Sequence, residues 1–593
     1  MISCLTLFRP ALRVAVVGLA FFALQLTARG ERPVAPQLLP EGTLVMVRVA
    51  DTPDLITKFR ETAMGRMTQD EQVSPLVNQL YGTLQEAWTQ IEERVGLPLD
   101  QLLKIPQGEI CVAIVSQGDS APAIVLLLDV KDQVVNANKL LDKGEAFIVE
   151  QGGSKESETI EDVKVNIFKT PDGQSVAQFE KDGTIVLTTN KEVVKPLLQA
   201  WNGTGEAKTL ADNEKFNSIM NRCGGGKDER PQITWYVDPV EIARKTLRGP
   251  AAIGLAFLPV LGVDGIKALG GSAIFAAGEF DDIQHFHLLL DNPRTGVVEL
   301  LALGAGDTTP ENWVPGDVSN YITLHWRIEE MYKNGAKLFN SLQTEGAFEN
   351  EIKTRINDNL GIDFEKEVLP QLDGRITFTN WIEKPARLNS QTTIIGIKLK
   401  DRQAFQPILD KVVEKFADNV EKKNFGGTTY WSIKVPQPPM ADGQPANLRQ
   451  PDPCVAIVGD YLILTDSSKA LQECVVTSSD ASRSLASDLE YKLIASKIKR
   501  QVGGDAPGMV QFNRPEEGMR LLYDLANADT TREGLARQAE NNPFFKSVDK
   551  ALKENPLPPF AVLAKYLAPG GGMVTNDETG FHYMAFTLKR KNP

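Results

Sequence analysis

The sequence predicts an α+β protein built from two homologous halves, each an antiparallel sheet with packed helices. Three observations predict it. Segments from the first half of the 593 residues recur, in the same order, in the second. Strand-like and helical runs come in clusters rather than in strict alternation, which favours antiparallel sheets with helices on one face. The composition, 42% hydrophobic and 24% charged, is that of globular protein and excludes wholesale disorder or a polytopic membrane protein.

The first element is an address. Arg9 and Arg13 border an apolar stretch from Val14 to Leu26, and Ala28-Arg29-Gly30 places small residues where a signal peptidase cuts. Residues 1–30 therefore read as a cleaved signal peptide, with retention as an N-terminal anchor the alternative. The apolar run falls short of the roughly 20 residues that cross a bilayer, so no membrane span is expected after cleavage. Removal leaves 61 basic against 77 acidic residues and moves the charge from -13 to -16. That acidity argues against nucleic-acid binding and against simple electrostatic docking onto anionic lipid. Export implies a periplasmic or extracellular location, where disulfides are permitted. Cys111, Cys223, Cys454 and Cys474 show no CxxC spacing and read as buried structural thiols, although their pairing stays open.

The mature chain opens with a strand, Thr43-Leu-Val-Met-Val-Arg-Val49, echoed by Tyr321-Ile-Thr-Leu-His-Trp-Arg327. Ser74 and Pro75 start a helix with Leu76, Val77, Leu80, Leu84, Trp88, Ile91 and Val95 at helical spacing, and Gly96 stops it. Asp182-Gly183 and Gly459-Asp460 carry the turn chemistry of hairpins. The repeat runs through these elements. Leu128-Asp-Val-Lys-Asp132 matches Ile397-Lys-Leu-Lys-Asp401, and Thr209-Leu-Ala-Asp212 matches Ser484-Leu-Ala-Ser487. Near the ends, Gln284-His-Phe-His-Leu288 answers Gly580-Phe-His-Tyr-Met584. The halves are placed at 31–305 and 306–593.

One short element occurs three times, at Val95-Gly-Leu-Pro-Leu-Asp100, Leu261-Gly-Val-Asp264 and Leu360-Gly-Ile-Asp363. Its glycine would cap one helix in the left-handed conformation, and its aspartate would cap the next. A second glycine (Gly108, Gly271, Gly374) then releases the chain into a strand. No ligand is needed to explain it.

The third copy extends as Leu360-Gly-Ile-Asp-Phe-Glu-Lys-Glu-Val-Leu-Pro-Gln-Leu-Asp-Gly-Arg-Ile376. It resembles the signature of a family of exported bacterial proteins classed only as a domain of unknown function. Leu39-Pro-Glu-Gly-Thr-Leu-Val-Met-Val-Arg48 and Ala63-Met-Gly-Arg66 are similar to that family's N-terminal pattern. The resemblance implies export, a helix–strand architecture and coverage of most of the mature chain. It implies no catalytic residues.

Chemistry is sparse. His285 and His287 would share a strand face and could approach one Zn²⁺, yet the second half offers only His582. They read as partly exposed strand histidines, like His325. Gly224-Gly-Gly-Lys227 lacks the glycine and hydroxyl of a phosphate loop, and the equivalent Gly503-Gly504 has no lysine. Residues 436–453 are proline-rich and read as a surface loop. Residues 251–263 are uninterruptedly apolar and too short to cross a membrane; a buried helical turn is expected, with an apolar pocket or a membrane-surface contact as rivals. No catalytic, cofactor or metal residue is assigned. The expected function is a non-enzymatic envelope protein that binds or scaffolds an unknown component. The alternatives are a carrier of an apolar ligand such as lipid and, further off, a metal-assisted hydrolase through His285 and His287.

Overall fold

The computed structural model describes residues 32–590 apart from 119, 227–228, 386, 388, 436–448 and 502–505. The expected signal peptide, most of the proline-rich segment, Lys227 and Gly503-Gly504 lie outside the described residues.

The first half contributes ten strands: β1 (Thr43–Val49), β2 (Ile110–Gln117), β3 (Ser120–Asp129), β4 (Ser154–Ile160), β5 (Val163–Lys169), β6 (Ser175–Lys181), β7 (Thr184–Thr188), β8 (Ile233–Val237), β9 (Ile266–Phe275) and β10 (Phe280–Leu290). Pairing sets the spatial order β4-β5-β6-β7-β3-β2-β1-β8-β9-β10, antiparallel throughout. A two-residue strand, β11 (Leu303–Gly304), leads into β12 (Asn320–Trp326), β13 (Leu372–Ile382), β14 (Gln391–Leu399), β15 (Val420–Phe425), β16 (Thr428–Ile433), β17 (Cys454–Val458), β18 (Tyr461–Thr465), β19 (Met509–Asn513), β20 (Gly570–Asp577) and β21 (Gly580–Leu588). Their order is β15-β16-β17-β18-β14-β13-β12-β19-β20-β21, the same connectivity as in the first half.

The two sets do not form separate sheets, as the sequence suggests. β10 pairs with β21 along its whole length, so the corresponding strands of the two halves meet at the centre of one sheet. The outer strands, β4 and β15, carry Lys155, Glu156 and Glu158, and Glu421, Lys422 and Lys423, charges that discourage edge-to-edge pairing.

One face of the sheet is closed. In the first half, the helices Val194–Asn202 and Glu214–Cys223 lay Leu197, Leu198, Phe216 and Ile219 over Met46, Ala113, Val125 and Tyr236. In the second, the helices Ser468–Ser479 and Leu489–Gln501 lay Leu471, Val475, Ile494 and Ile498 over Tyr321, Ile463, Val510 and Phe512. Close approach is bought by glycine: a Cβ on Gly270 would strike Ile219, and one on Gly571 would strike Ile494. The repeated segments occupy corresponding places. Leu210 N–H donates to Leu39 O at 2.7 Å and Leu485 N–H donates to Val314 O at 3.0 Å.

Local expectations fare unevenly. The helix Ser74–Val95 ends on Gly96 at φ 80°, although Val73 rather than Ser74 occupies its cap position. Asp182 and Gly183 both take positive φ between β6 and β7. All three glycines of the repeated element are left-handed, but only Asp363 caps a helix, accepting from Lys366 N at 3.1 Å. Asp100 and Asp264 sit inside the first turn instead, because the intervening residues already start the helix there.

Candidate functional site

The other face of the sheet is apolar too, and among the described residues its centre is covered only in part, where the short helical turn Gly296–Leu300 packs Val297 and Val298 with Leu288, Phe581 and Val574. Following the register, Leu126, Val112, Val47, Trp235, Gly271, Phe286 and Tyr583 are successive cross-strand neighbours. The row continues through Val574, Met509, Leu324, Ile376, Ile397 and Leu462. At about 4.8 Å per strand it runs roughly 58 Å along the sheet. Helix Val134–Glu150 covers one flank through Leu128 and Leu187, and helix Arg402–Lys415 covers the other through Leu462, Val455 and Ile457. Between them Val47 is 48% exposed, Val112 44%, Ile124 49% and Phe378 38%, whereas Met46, Ala113, Val125 and Ile394 on the closed face are fully buried.

A sheet that turns one face to water ordinarily alternates apolar with polar residues. Here the open row holds no charged side chain, and polar neighbours on the same face are engaged: Tyr583 OH donates to Gln511 Oε1 at 3.0 Å, Gln284 Nε2 to Asp282 Oδ1 at 3.3 Å and Asn576 Nδ2 to Leu303 O at 3.1 Å. Trp235 and Phe286 pack with ring centroids 5.7 Å apart. Gly271 lies between them in the row, and a Cβ there would meet the Trp235 indole at 2.7 Å. Every strand of this central stretch is paired on both sides, so the surface offers a partner contact area but no free main-chain hydrogen bonds.

At one end of the closed face lies a polar cleft of about 1720 Å³. Its floor is an ion-pair network. Glu109 accepts from Arg32 Nη2 at 2.7 Å, from Ala35 N at 3.0 Å and from Arg48 Nε. Asp129 accepts from Arg32 Nε at 2.8 Å, Glu109 N at 2.9 Å and Thr184 Oγ1 at 2.6 Å. These bonds clamp the start of the described chain to the ends of β1, β2 and β3. Among the described residues no Cys, His or Ser lines the cleft. The second half has its own buried cluster: Glu311 accepts from Tyr321 OH at 3.2 Å, from Arg375 Nε at 3.0 Å and from Thr377 Oγ1. Burial pushes the Glu311 carboxyl up, opposed chiefly by the Arg375 guanidinium.

Of the histidines, His287 departs from its sequence reading, while His285 and His325 are partly exposed strand residues. Because β10 and β21 pair, His582 lies opposite His287, and three imidazoles gather on the closed face at the junction of the halves. His285 Nδ1 is 3.2 Å from His582 Nε2, and the His287 and His582 rings are 5.7 Å apart. His287 is fully buried, not partly exposed, with helix Glu214–Cys223 packed over β9 and β10. His285 Nε2, His287 Nδ1 and His582 Nδ1 are buried without a hydrogen-bond partner. Burial pulls His287 down to about 4 and His582 to about 3, and lowers His285 as well. Among the described residues, no three His, Cys, Asp or Glu side chains are placed to hold a metal ion. Asp281, on the same strand, accepts from Ala63 N at 2.7 Å.

Elsewhere, His325 Nε2 bonds Asp307 O at 2.8 Å, and Gly224 ends the helix Glu214–Cys223. Cys111, Cys223, Cys454 and Cys474 are free and buried, and burial lifts the first three thiols to about 12. Residues 251–263 contradict the expected buried turn. They form the helical segments Gly249–Phe257 and Leu258–Leu261, neither of which has a buried residue.

Residues 341–506 match a family model, that of a protein of unknown function (DUF3352). The match contains the signature at 360–376 and spans β13 to β18. It leaves out Leu39 to Arg48 and Ala63 to Arg66, so it covers less of the chain than the sequence resemblance implies. No curated protein and no solved structure matches the chain. The open row itself escaped sequence reading. Its signal was present in β1, where Val45, Val47 and Val49 alternate with Leu44 and Met46, so that both faces are apolar.

Proposed function

We propose that the protein is an exported, non-enzymatic binding protein of the cell envelope that carries an apolar chain, such as a lipid tail, on the open face of its sheet. One observation carries the reading: an apolar row unbroken by charge lies on a face where Val47, Val112, Ile124 and Phe378 stay exposed between the two flanking helices. Large exposed apolar patches on soluble proteins mark interaction sites. An alkyl chain suits this one because it demands no hydrogen bonds, and each methylene withdrawn from water contributes about 0.8 kcal/mol. A peptide would bring main-chain groups that the fully paired central strands could not satisfy.

We further infer that the two halves, 31–305 and 306–593, descend from one duplicated unit. Their shared strand order and the matching Leu210–Leu39 and Leu485–Val314 bonds support it. Joining two copies through β10 and β21 would remove one edge strand from each and double the length of the apolar row. A fluorescent fatty-acid analogue tests the binding reading. It should bind the purified protein saturably, and Val47→Asp with Val112→Asp should abolish that binding while leaving the circular dichroism unchanged. Undiminished binding by the double variant would overturn the assignment.

A further inference from the structure

Residues 239–263 carry a further set of exposed apolar side chains. The helix Pro239–Thr246 is seated on the sheet by buried Val240, and its Asp238 cap accepts from Glu241 N at 3.0 Å. After Arg248 the chain runs through the helical segments Gly249–Phe257 and Leu258–Leu261 with no buried side chain. Ile253 is 66% exposed, Phe257 51% and Val260 47%. The far end is fixed again. Gly262 at φ 68° and Gly296 at φ 58° press backbone against backbone, and a Cβ on either would strike the other strand of chain. The segment is thus held at both ends, and Leu258–Leu261 also touches the helix Ile328–Leu342, while Ile253, Phe257 and Val260 stay exposed.

Its charge sets it apart from the rest of the molecule. The protein carries -13 overall, yet residues 239–263 hold one carboxylate, Glu241, against Arg244, Lys245 and Arg248. Arg244 and Lys245 pair with Glu241, whereas the Arg248 guanidinium bonds the carbonyls of Arg244 and Leu247. No described helix is long and apolar enough to cross a membrane. An exposed apolar turn beside basic side chains is the arrangement that enters a bilayer interface, apolar groups at the acyl boundary and cations at the headgroups.

We propose that residues 248–261 dock the protein on an anionic membrane surface, with Ile253, Phe257 and Val260 entering the interface and Arg244 and Arg248 meeting the headgroups. Local charge and apolarity act here against the net acidity of the chain. The occupant is a lipid bilayer rather than a second copy, because Arg244, Lys245 and Arg248 flank the patch with like charges that two copies would bring together.

Flotation with vesicles tests it. The whole chain without its first thirty residues is incubated with vesicles of pure phosphatidylcholine and of phosphatidylcholine with phosphatidylglycerol. It should float with the anionic vesicles and detach in high salt. Ile253→Asp with Phe257→Asp should lower partitioning by roughly tenfold or more. Phe257→Trp in the otherwise native chain should show a blue shift quenched by brominated lipid, which reports insertion at this residue directly. Failure of the native chain to float, or equal flotation of the aspartate variant, would overturn the proposal. So would a dimer in solution that the same two substitutions dissolve. The aspartate variant should still bind the fatty-acid analogue, so loss of docking and loss of ligand binding read out separately.

Discussion

Acidification should loosen the junction between the two halves through its three histidines. In the folded protein His287 holds its proton only below about 4 and His582 only below about 3. An unfolded histidine titrates near about 6.5, so below that value the unfolded chain takes up protons that the folded chain refuses. The folded values are depressed; stability from these groups is therefore complete above about 6.5 and is lost as pH falls toward the folded values. Between pH 7 and pH 4.5 each of the two should cost about 2.5 kcal/mol, or about 5 kcal/mol together, a large share of an ordinary domain's stability. The assay is urea unfolding, followed by tryptophan fluorescence, at half-unit pH steps. Carboxylates titrate in the same range, so the informative quantity is the difference made by His287→Leu. Leucine fits a site with an unpartnered Nδ1 and no exposure. The variant's stability should fall less steeply with acid, by about 1.4 kcal/mol per pH unit for the one proton removed. An unchanged slope would refute the claim that His287 is buried and neutral.

The remaining predictions concern packing and thiols. Glu311→Ala should destabilise the protein by about 3–5 kcal/mol in denaturant titration, because it strands the buried Arg375 guanidinium; a loss within experimental error would show the cluster to be solvated. Gly271→Val should shift the tryptophan emission and lower the melting temperature, since its side chain needs the space of the Trp235 indole. Cys111, Cys223, Cys454 and Cys474 should resist Ellman's reagent in the native protein and all react after denaturation without reductant; fewer than four reactive thiols would reveal a disulfide.

What the sequence made legible was local. Helical spacing placed Ser74–Val95, and Asp182-Gly183 marked a hairpin, because both signals reside in neighbouring residues. The recurring segments were legible because finding them needs only comparison of one stretch of sequence with another. The junction was not: β10 and β21 are about three hundred residues apart, and no local pattern specifies that His287 meets His582. Apolar composition also misled at residues 251–263, which were expected to be buried. Residues 251–263 and the row through Val47 both prefer to leave water, and from sequence alone that preference reads as burial. Whether anything covers such residues is decided by which helices the topology brings to that face. Here it brings helices to the flanks and leaves Val47, Val112 and Phe378 on the sheet and Ile253, Phe257 and Val260 in the 251–263 segment exposed.

Native mass spectrometry of the protein purified from its native source, without detergent exchange, tests the central claim most directly. The account predicts a bound species with the mass of a lipid, released on collisional activation and absent from Val47→Asp with Val112→Asp. Clean spectra of the bare chain from repeated gentle preparations, or an adduct that survives in the double variant, would contradict it.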